Sequence, residues 1–146
     1  MIGVDANILV YAHRRDSEWH SAAAKALAAL AEGETPWAIP WPCIHEFLAI
    51  TTHPRIYAPP TPVAKAIEQV DIWMESPSLR LLGELKGHWA ELREVLTAGR
   101  IVGGAVHDAR IATICLEHGV RELWSADRDF SRIARIAVRN PLTALD

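Results

Sequence analysis

Five carboxylates carry the chemistry open to this chain: Asp5, Glu46, Asp108, Asp127 and Asp129. Asp108 is the most informative. It lies in Gly103-Gly104-Ala105-Val106-His107-Asp108-Ala109-Arg110-Ile111-Ala112-Thr113-Ile114-Cys115-Leu116, which reads as a helix at about 100° per residue. Arg110, Thr113, Glu117, His107 and His118 fall on one arc, the expected solvent face. Asp108 falls opposite, among Ala105, Ala112 and Cys115, so its carboxylate is aimed into the protein on a small apolar surface. A buried charge needs a proton, a cationic partner or a metal.

The elements that must position these groups follow from local pattern. Residues 1–4 form a short apolar run, a buried strand, and Asp5 stands at its carboxyl end. Residues 6–12 turn into a helix, and residues 18–32 form an Ala-rich one that Gly33 ends. Residues 37–41 make a second strand, and Pro42 suits the first turn of a helix over 42–52 that carries Glu46. Pro54, Pro59, Pro60 and Pro62 mark a loop. A helix over 62–75 should face Val63, Ala66, Ile67, Val70 and Trp73 or Met74 inward. Residues 79–82 form a third strand and 89–98 a helix. The Asp108 helix runs to His118, where Gly119 caps it. Residues 122–125 form a fourth strand, a turn holds Asp127 to Phe130, and 136–138 forms an edge strand.

Short apolar strands alternating with helices imply a mainly parallel sheet of four to five strands in a three-layer α/β/α sandwich. Such sheets bind ligands beyond the carboxyl ends of their strands. Asp5 follows strand one, Glu46 lies in the helix after strand two, and Asp127 and Asp129 follow strand four. The Asp108 helix begins on the same rim if it packs antiparallel to the strands. Carboxylates so gathered repel one another unless divalent cations sit among them, and oxygen-rich sites suit Mg²⁺ or Mn²⁺. Each acid also has a plainer role open to it. Asp5 and Asp127 are placed to cap helices, Glu46 borders an apolar stripe, and Asp129 has Arg128 and Arg132 as surface partners.

The totals narrow the classes. A chain of 146 residues, half of them hydrophobic, suits one domain over residues 1–146 with a core that needs no disulfide. Cys43 and Cys115 lie in apolar helical patterns and read as reduced core residues of a cytosolic protein. No Cys/His spacing suggests zinc, and His45 and His53 do not form HExxH with Glu46. The start lacks the pattern of a signal peptide. No stretch approaches the ~18 apolar residues of a membrane span. A net charge of −3 argues against coating nucleic acid by bulk charge. It leaves room for a nuclease whose metal-binding acids lower the total. Arg14, Arg15 and Arg128 lie near the expected rim as phosphate contacts, with solvated surface charge as the alternative for each. Trp37 and Trp41 read as core. Core packing is the favoured reading of Trp19 and Trp73, with a partly exposed helical face as the alternative, and His13 reads as structural before it reads as a group acting near a scissile phosphate.

Val4-Asp5-Ala6-Asn7-Ile8-Leu9-Val10-Tyr11 resembles the opening of the PIN-domain ribonucleases, especially the VapC toxins of bacterial toxin–antitoxin pairs. The resemblance continues through Glu46 and Asp108-Ala109-Arg110-Ile111-Ala112. It closes with Leu123-Trp124-Ser125-Ala126-Asp127-Arg128-Asp129-Phe130, similar to the family's Thr/Ser-x-Asp-x-Asp-Phe ending. It covers essentially the whole chain. Ser125 stands where Thr is common and keeps the hydroxyl.

The resemblance implies that Asp5, Glu46, Asp108 and Asp127 are the acidic active-site positions, with Asp5 and Asp108 the most direct metal ligands. Asn7 and Ser125 match supporting polar positions, and Asp129 matches a further acid in a supporting role. The implied activity is Mg²⁺-dependent hydrolysis of RNA, with Mn²⁺ able to substitute, leaving a 5′-phosphate and a 3′-hydroxyl. The implied partners are a cognate antitoxin and a second copy of the chain. Two other classes compete. A haloacid-dehalogenase-like phosphotransferase begins with a strand and Asp-x-Asp, but here the run is Asp5-Ala6-Asn7. A non-catalytic Mg²⁺-binding receiver has an adjacent acidic pair after strand one and an Asp after strand three, where this chain has one acid and Gly83.

Overall fold

The computed structural model describes residues 1–143; the end of the expected 1–146 domain, residues 144–146, lies outside them. In chain order the elements are β1 (Ile2–Val4), α1 (Ala6–His13), α2 (His20–Glu32), β2 (Trp37–Pro40), α3 (Trp41–Thr51), α4 (Val63–Met74), β3 (Leu79–Leu82), α5 (His88–Gly99), α6 (Ala105–Glu117), β4 (Glu122–Trp124) and β5 (Ala137–Arg139). A short 3₁₀ turn, Arg128–Arg132, joins the last two strands.

The five strands form one parallel sheet in the order β3-β2-β1-β4-β5. The chain works outward from β1 to one edge, then returns to the other side of β1. That reversal opens a crevice at the carboxyl ends of β1 and β4. Helices flank the sheet, with α1 packed on α2 and α3, and α5 on α6. The result is the expected three-layer α/β/α sandwich with five strands. The core is built on Trp37, Phe47, Phe130, Ile8, Leu9 and Ile39, all fully buried. Cys43 and Cys115 are buried free thiols, as their patterns predict.

α6 lies unusually close to β1. A Cβ on Gly3 would come within 3.2 Å of Cys115 Sγ and 3.3 Å of Leu123 Cδ1. A side chain at position 3 would force the Cys115, Leu123 and Val120 side chains to give by a few tenths of an ångström, so glycine permits this close packing. Gly119, at φ +76°, takes the left-handed turn that ends α6 and feeds β4.

Several side chains face otherwise than expected. Thr113 is fully buried and donates to the Ala109 carbonyl at 2.7 Å, and the Glu117 side chain is only 4% exposed. The reason is that α6 is covered twice, by the sheet and by α5 with the loop before it, so much of the expected solvent arc is buried. Trp41 is 38% exposed rather than core, because it begins α3 on the rim beside Gly83. On α4 only Ala66, Val70 and Trp73 are buried, while Val63, Ile67 and Met74 are exposed. This helix packs mainly on α3 and buries one narrow stripe. Trp73 is buried, in line with the core reading, whereas Trp19, at the N-terminus of α2, is partly exposed. No helix among the described residues is long and apolar enough to cross a membrane.

Candidate active site: a carboxylate cluster at the sheet rim

The site starts from Asp5, the residue after β1, which is 5% exposed. Its extended backbone makes it the N-cap of α1, with Oδ1 accepting from Ala6 N at 2.8 Å. Its other oxygen accepts from Ser125 Oγ at 2.7 Å, across from the end of β4. The Cys43 thiol and Asn7 Nδ2 approach the same carboxylate at 3.5 Å each. Capping and site geometry are therefore one arrangement: the backbone contact orients the carboxylate and Ser125 fixes its outer oxygen.

Asn7 and Ser125 tie the two strand ends together. Asn7 Nδ2 donates to Ser125 Oγ at 3.1 Å, and Ala126 N donates to Asn7 Oδ1 at 3.2 Å. Asp127 N donates to Ser125 Oγ at 3.0 Å. Asp127 in turn caps the 3₁₀ turn, its Oδ1 accepting from Asp129 N at 2.8 Å. This chain of hydrogen bonds places the Asp127 carboxylate relative to Asp5 without using its second oxygen.

One oxygen from each of Asp108, Asp127 and Asp129 lies within 4.8 Å of the other two. Asp108 enters from the first turn of α6 and is half-buried. The fully buried carboxylate is thus Asp5, and Asp108 opens onto the crevice. Glu46, on α3, is half-buried nearby. Neither the Asp108 nor the Glu46 carboxylate has a hydrogen-bond partner among the described residues. Asp129 stands closer to the cluster than a supporting position suggests. Nothing in the sequence fixes this, because it depends on the tight turn that carries the chain back past Asp127.

The electrostatics match this crowding. Burial first, then the neighbouring Asp127, Asp5 and Asp129, push the Asp108 carboxyl up from 3.8 to about 6, against a smaller pull from His107. Burial, then Asp5 and Asp108, raise Glu46, opposed by His107 and Arg110. Burial also raises Asp5, while the hydrogen bonds from Ser125, Ala6 and Cys43 hold it down. Every resolved carboxylate shift in the cluster goes upward, from burial first and from repulsion between the neighbouring acids second. Divalent cations with oxygen ligands fit this donor set.

The three arginines do not behave alike. The Arg14 side chain is only 11% exposed. It makes paired contacts with Asp16 at 2.9 and 2.6 Å, donates to the Pro59 carbonyl at 3.0 Å and lies 4.2 Å above the Tyr57 ring. Its guanidinium is spent on holding the 53–61 loop. Arg15 and Arg128 are exposed and make no ion pair among the described residues. His13 bridges Gln69 Oε1 and Thr61 Oγ1 at 3.0 and 3.2 Å and packs on Phe47, a tie between α1 and α4.

Comparison with known proteins places this geometry. A family model described as "PIN domain" matches residues 2–136. VapC ribonuclease Mb2897 of Mycobacterium bovis is 33% identical over 142 residues, covering 97% of this chain and 96% of that protein. Ribonuclease VapC48 of Mycobacterium tuberculosis is 30% identical over 139 residues, covering 95% and 96%. Among solved structures, VapBC2 from Rickettsia felis, bound to a DNA fragment from their promoter, superposes with a TM-score of 0.66 at 20% identity, covering 96% of this chain and 98% of that one. The chain, with its rim of acids at the ends of β1 and β4, belongs to the PIN-domain family, in the branch of the VapC ribonucleases.

Proposed function

We propose that this chain is a Mg²⁺-dependent endoribonuclease, the toxin of a toxin–antitoxin pair, built as one PIN-like domain over residues 1–146. The observation that carries the reading is the convergence of Asp108, Asp127 and Asp129 oxygens within 4.8 Å above the buried Asp5. The site residues are Asp5, Glu46, Asp108 and Asp127, supported by Asn7, Ser125 and Asp129. A divalent cation in such a site lowers the pKa of water and offsets charge on a phosphate.

The chain's own residues divide the remaining work. Asp108 and Asp127 offer free carboxylate oxygens to the cation, and Asp129 stands within the same reach. Asp5 accepts two short hydrogen bonds and two long ones. A carboxylate has about four lone-pair positions, and the 3.5 Å contacts are weak enough to yield to a cation. Ser125 and Asn7 keep Asp5 and Asp127 in register, so the acids do not reorganise as substrate arrives. Glu46, with its affinity for protons raised by burial, is placed to take the proton that the attacking water gives up.

A cognate antitoxin and a second copy of the chain are the proposed partners, on family resemblance. The exposed Val63 and Ile67 of α4 offer apolar surface for such contacts. Sequencing of RNA 5′ ends after induced expression tests the function. Wild type should generate new 5′-phosphate ends at defined positions and Asp108→Asn should not; identical end profiles would contradict the reading.

A further inference from the structure

A groove of about 610 Å³ opens directly beside the carboxylate cluster. It is lined by Ser125 and Asp127, by Arg128 and Phe130 of the 3₁₀ turn, and by Val138 and Asn140. Its volume is that of a small-molecule site. Because it shares Asp127 with the cluster, whatever fills it lies next to the reacting phosphate.

The lining says what fits. Its apolar lining is largely buried: Phe130 is 1% exposed, and Ile133 and Ile136 are also buried. Val138, on the edge strand, is more open. Two polar groups of the lining keep free donors among the described residues. Arg128 makes no ion pair or hydrogen bond there. The Asn140 Oδ1 accepts from Leu142 N at 3.0 Å, which fixes the amide plane, and Nδ2 finds no acceptor. A groove of mixed lining, with apolar walls, the Ser131 and Thr143 hydroxyls, one cation and one amide, suits a nucleotide: base against the apolar walls, base edge at the amide, phosphate at the guanidinium.

Resting on the ribonuclease reading, we infer that this groove holds one unpaired nucleotide of the RNA beside the scissile phosphate, and that Asn140 reads its base. The nucleotide must be unpaired, because a base enters such a slot only when splayed out of a helix. Arg128 contributes charge but no sequence information, and Asn140 contributes the discrimination.

The test is cleavage of a panel of single-stranded RNA oligonucleotides, each varied at one position around the cut, by wild type, Val138→Trp, Asn140→Ser and Asp108→Asn. Calorimetric Mn²⁺ titration and a thermal melt accompany each variant. Val138→Trp fills the slot from an exposed edge and should raise KM about tenfold, in line with the loss of one bound base, with Mn²⁺ affinity unchanged. Asn140→Ser keeps an acceptor for Leu142 N and should flatten base preference at a single position by about tenfold. Cleavage by both variants at the same positions, with wild-type KM and preference, overturns the inference. Wild type behaving as Asp108→Asn does, with no RNA cut, overturns the ribonuclease reading and this inference with it. Should Val138→Trp melt early, Asn140→Ser alone decides.

Discussion

The Ser125 hydroxyl donates to Asp5 Oδ2 at 2.7 Å, joining residues 120 positions apart at the ends of neighbouring strands. The Ser125 Oγ in turn accepts from Asn7 Nδ2 and Asp127 N. Ser125 is therefore the hub through which the position of one acid fixes that of another. Ser125→Ala should weaken Mn²⁺ binding and RNA cleavage by about 10–100-fold, the usual cost of losing a partner that orients a metal-binding group. Ser125→Thr keeps the hydroxyl and should retain most of both. Calorimetry with both variants checks this; equal affinities for Ala and wild type would contradict it.

The raised carboxyl of Asp108 predicts a pH dependence with a definite sign. Folding lifts this group from 3.8 to about 6, so between those values the folded state binds more protons than the unfolded state. Stability tied to the proton is then present at low pH and lost as pH rises through about 6. In EDTA, Asp108→Asn should melt a few degrees above wild type at pH 7.5, and the gap should close toward pH 4. Added Mn²⁺ should stabilise wild type at pH 7.5 and lose that effect below about 6, where protons compete for the carboxylate. Melting curves across pH decide it; a gap that does not grow with pH would be contrary.

Arg14 and Arg128 should separate cleanly. Arg14 holds Asp16, the Pro59 carbonyl and the Tyr57 ring. Arg14→Ala should cost about 1–3 kcal/mol of stability, and Lys should not restore it, lacking the planar fork. Arg128→Ala should leave the melting temperature unchanged and reduce the salt dependence of RNA binding by about one counterion. The reverse pattern would mean that the two arginines have exchanged roles.

Glu117 accepts from Leu85 N at 2.9 Å and pairs with His88, while Arg110 holds Glu84 at 2.8 Å and His118 meets the Gly83 carbonyl. Three side chains of one helix thus clamp the 83–88 loop. Glu117→Ala removes the carboxylate that Leu85 N and the half-buried His88 share and should cost about 1–3 kcal/mol. It should also open the loop to trypsin at Lys86, which limited proteolysis would detect.

Much of the site was legible because several of its residues sit at chain punctuation. Asp5 ends an apolar run and begins a helix, and Asp127 ends another run before a turn, so position along the chain placed both on one rim. The capping roles open to these two acids are real, and they are how the acids are held. What periodicity missed follows from surroundings it does not encode. Thr113 and Glu117 read as solvent-facing because a helix pattern shows one buried face, whereas α6 has two. Trp41 read as core because it continues the alternation of Trp37 along a strand drawn to residue 41, whereas the strand ends at Pro40 and Trp41 begins α3. The approach of Asp129 to Asp108 rests on a five-residue turn whose path no pattern specifies.

The most direct test of the account is cleavage of a defined single-stranded RNA by purified wild type and Asp108→Asn, each in Mg²⁺ and in EDTA. The account predicts discrete products bearing 5′-phosphates from wild type in Mg²⁺ alone, with Asp108→Asn folded and inactive. Cleavage by wild type that persists in EDTA, or full activity in Asp108→Asn, would contradict it.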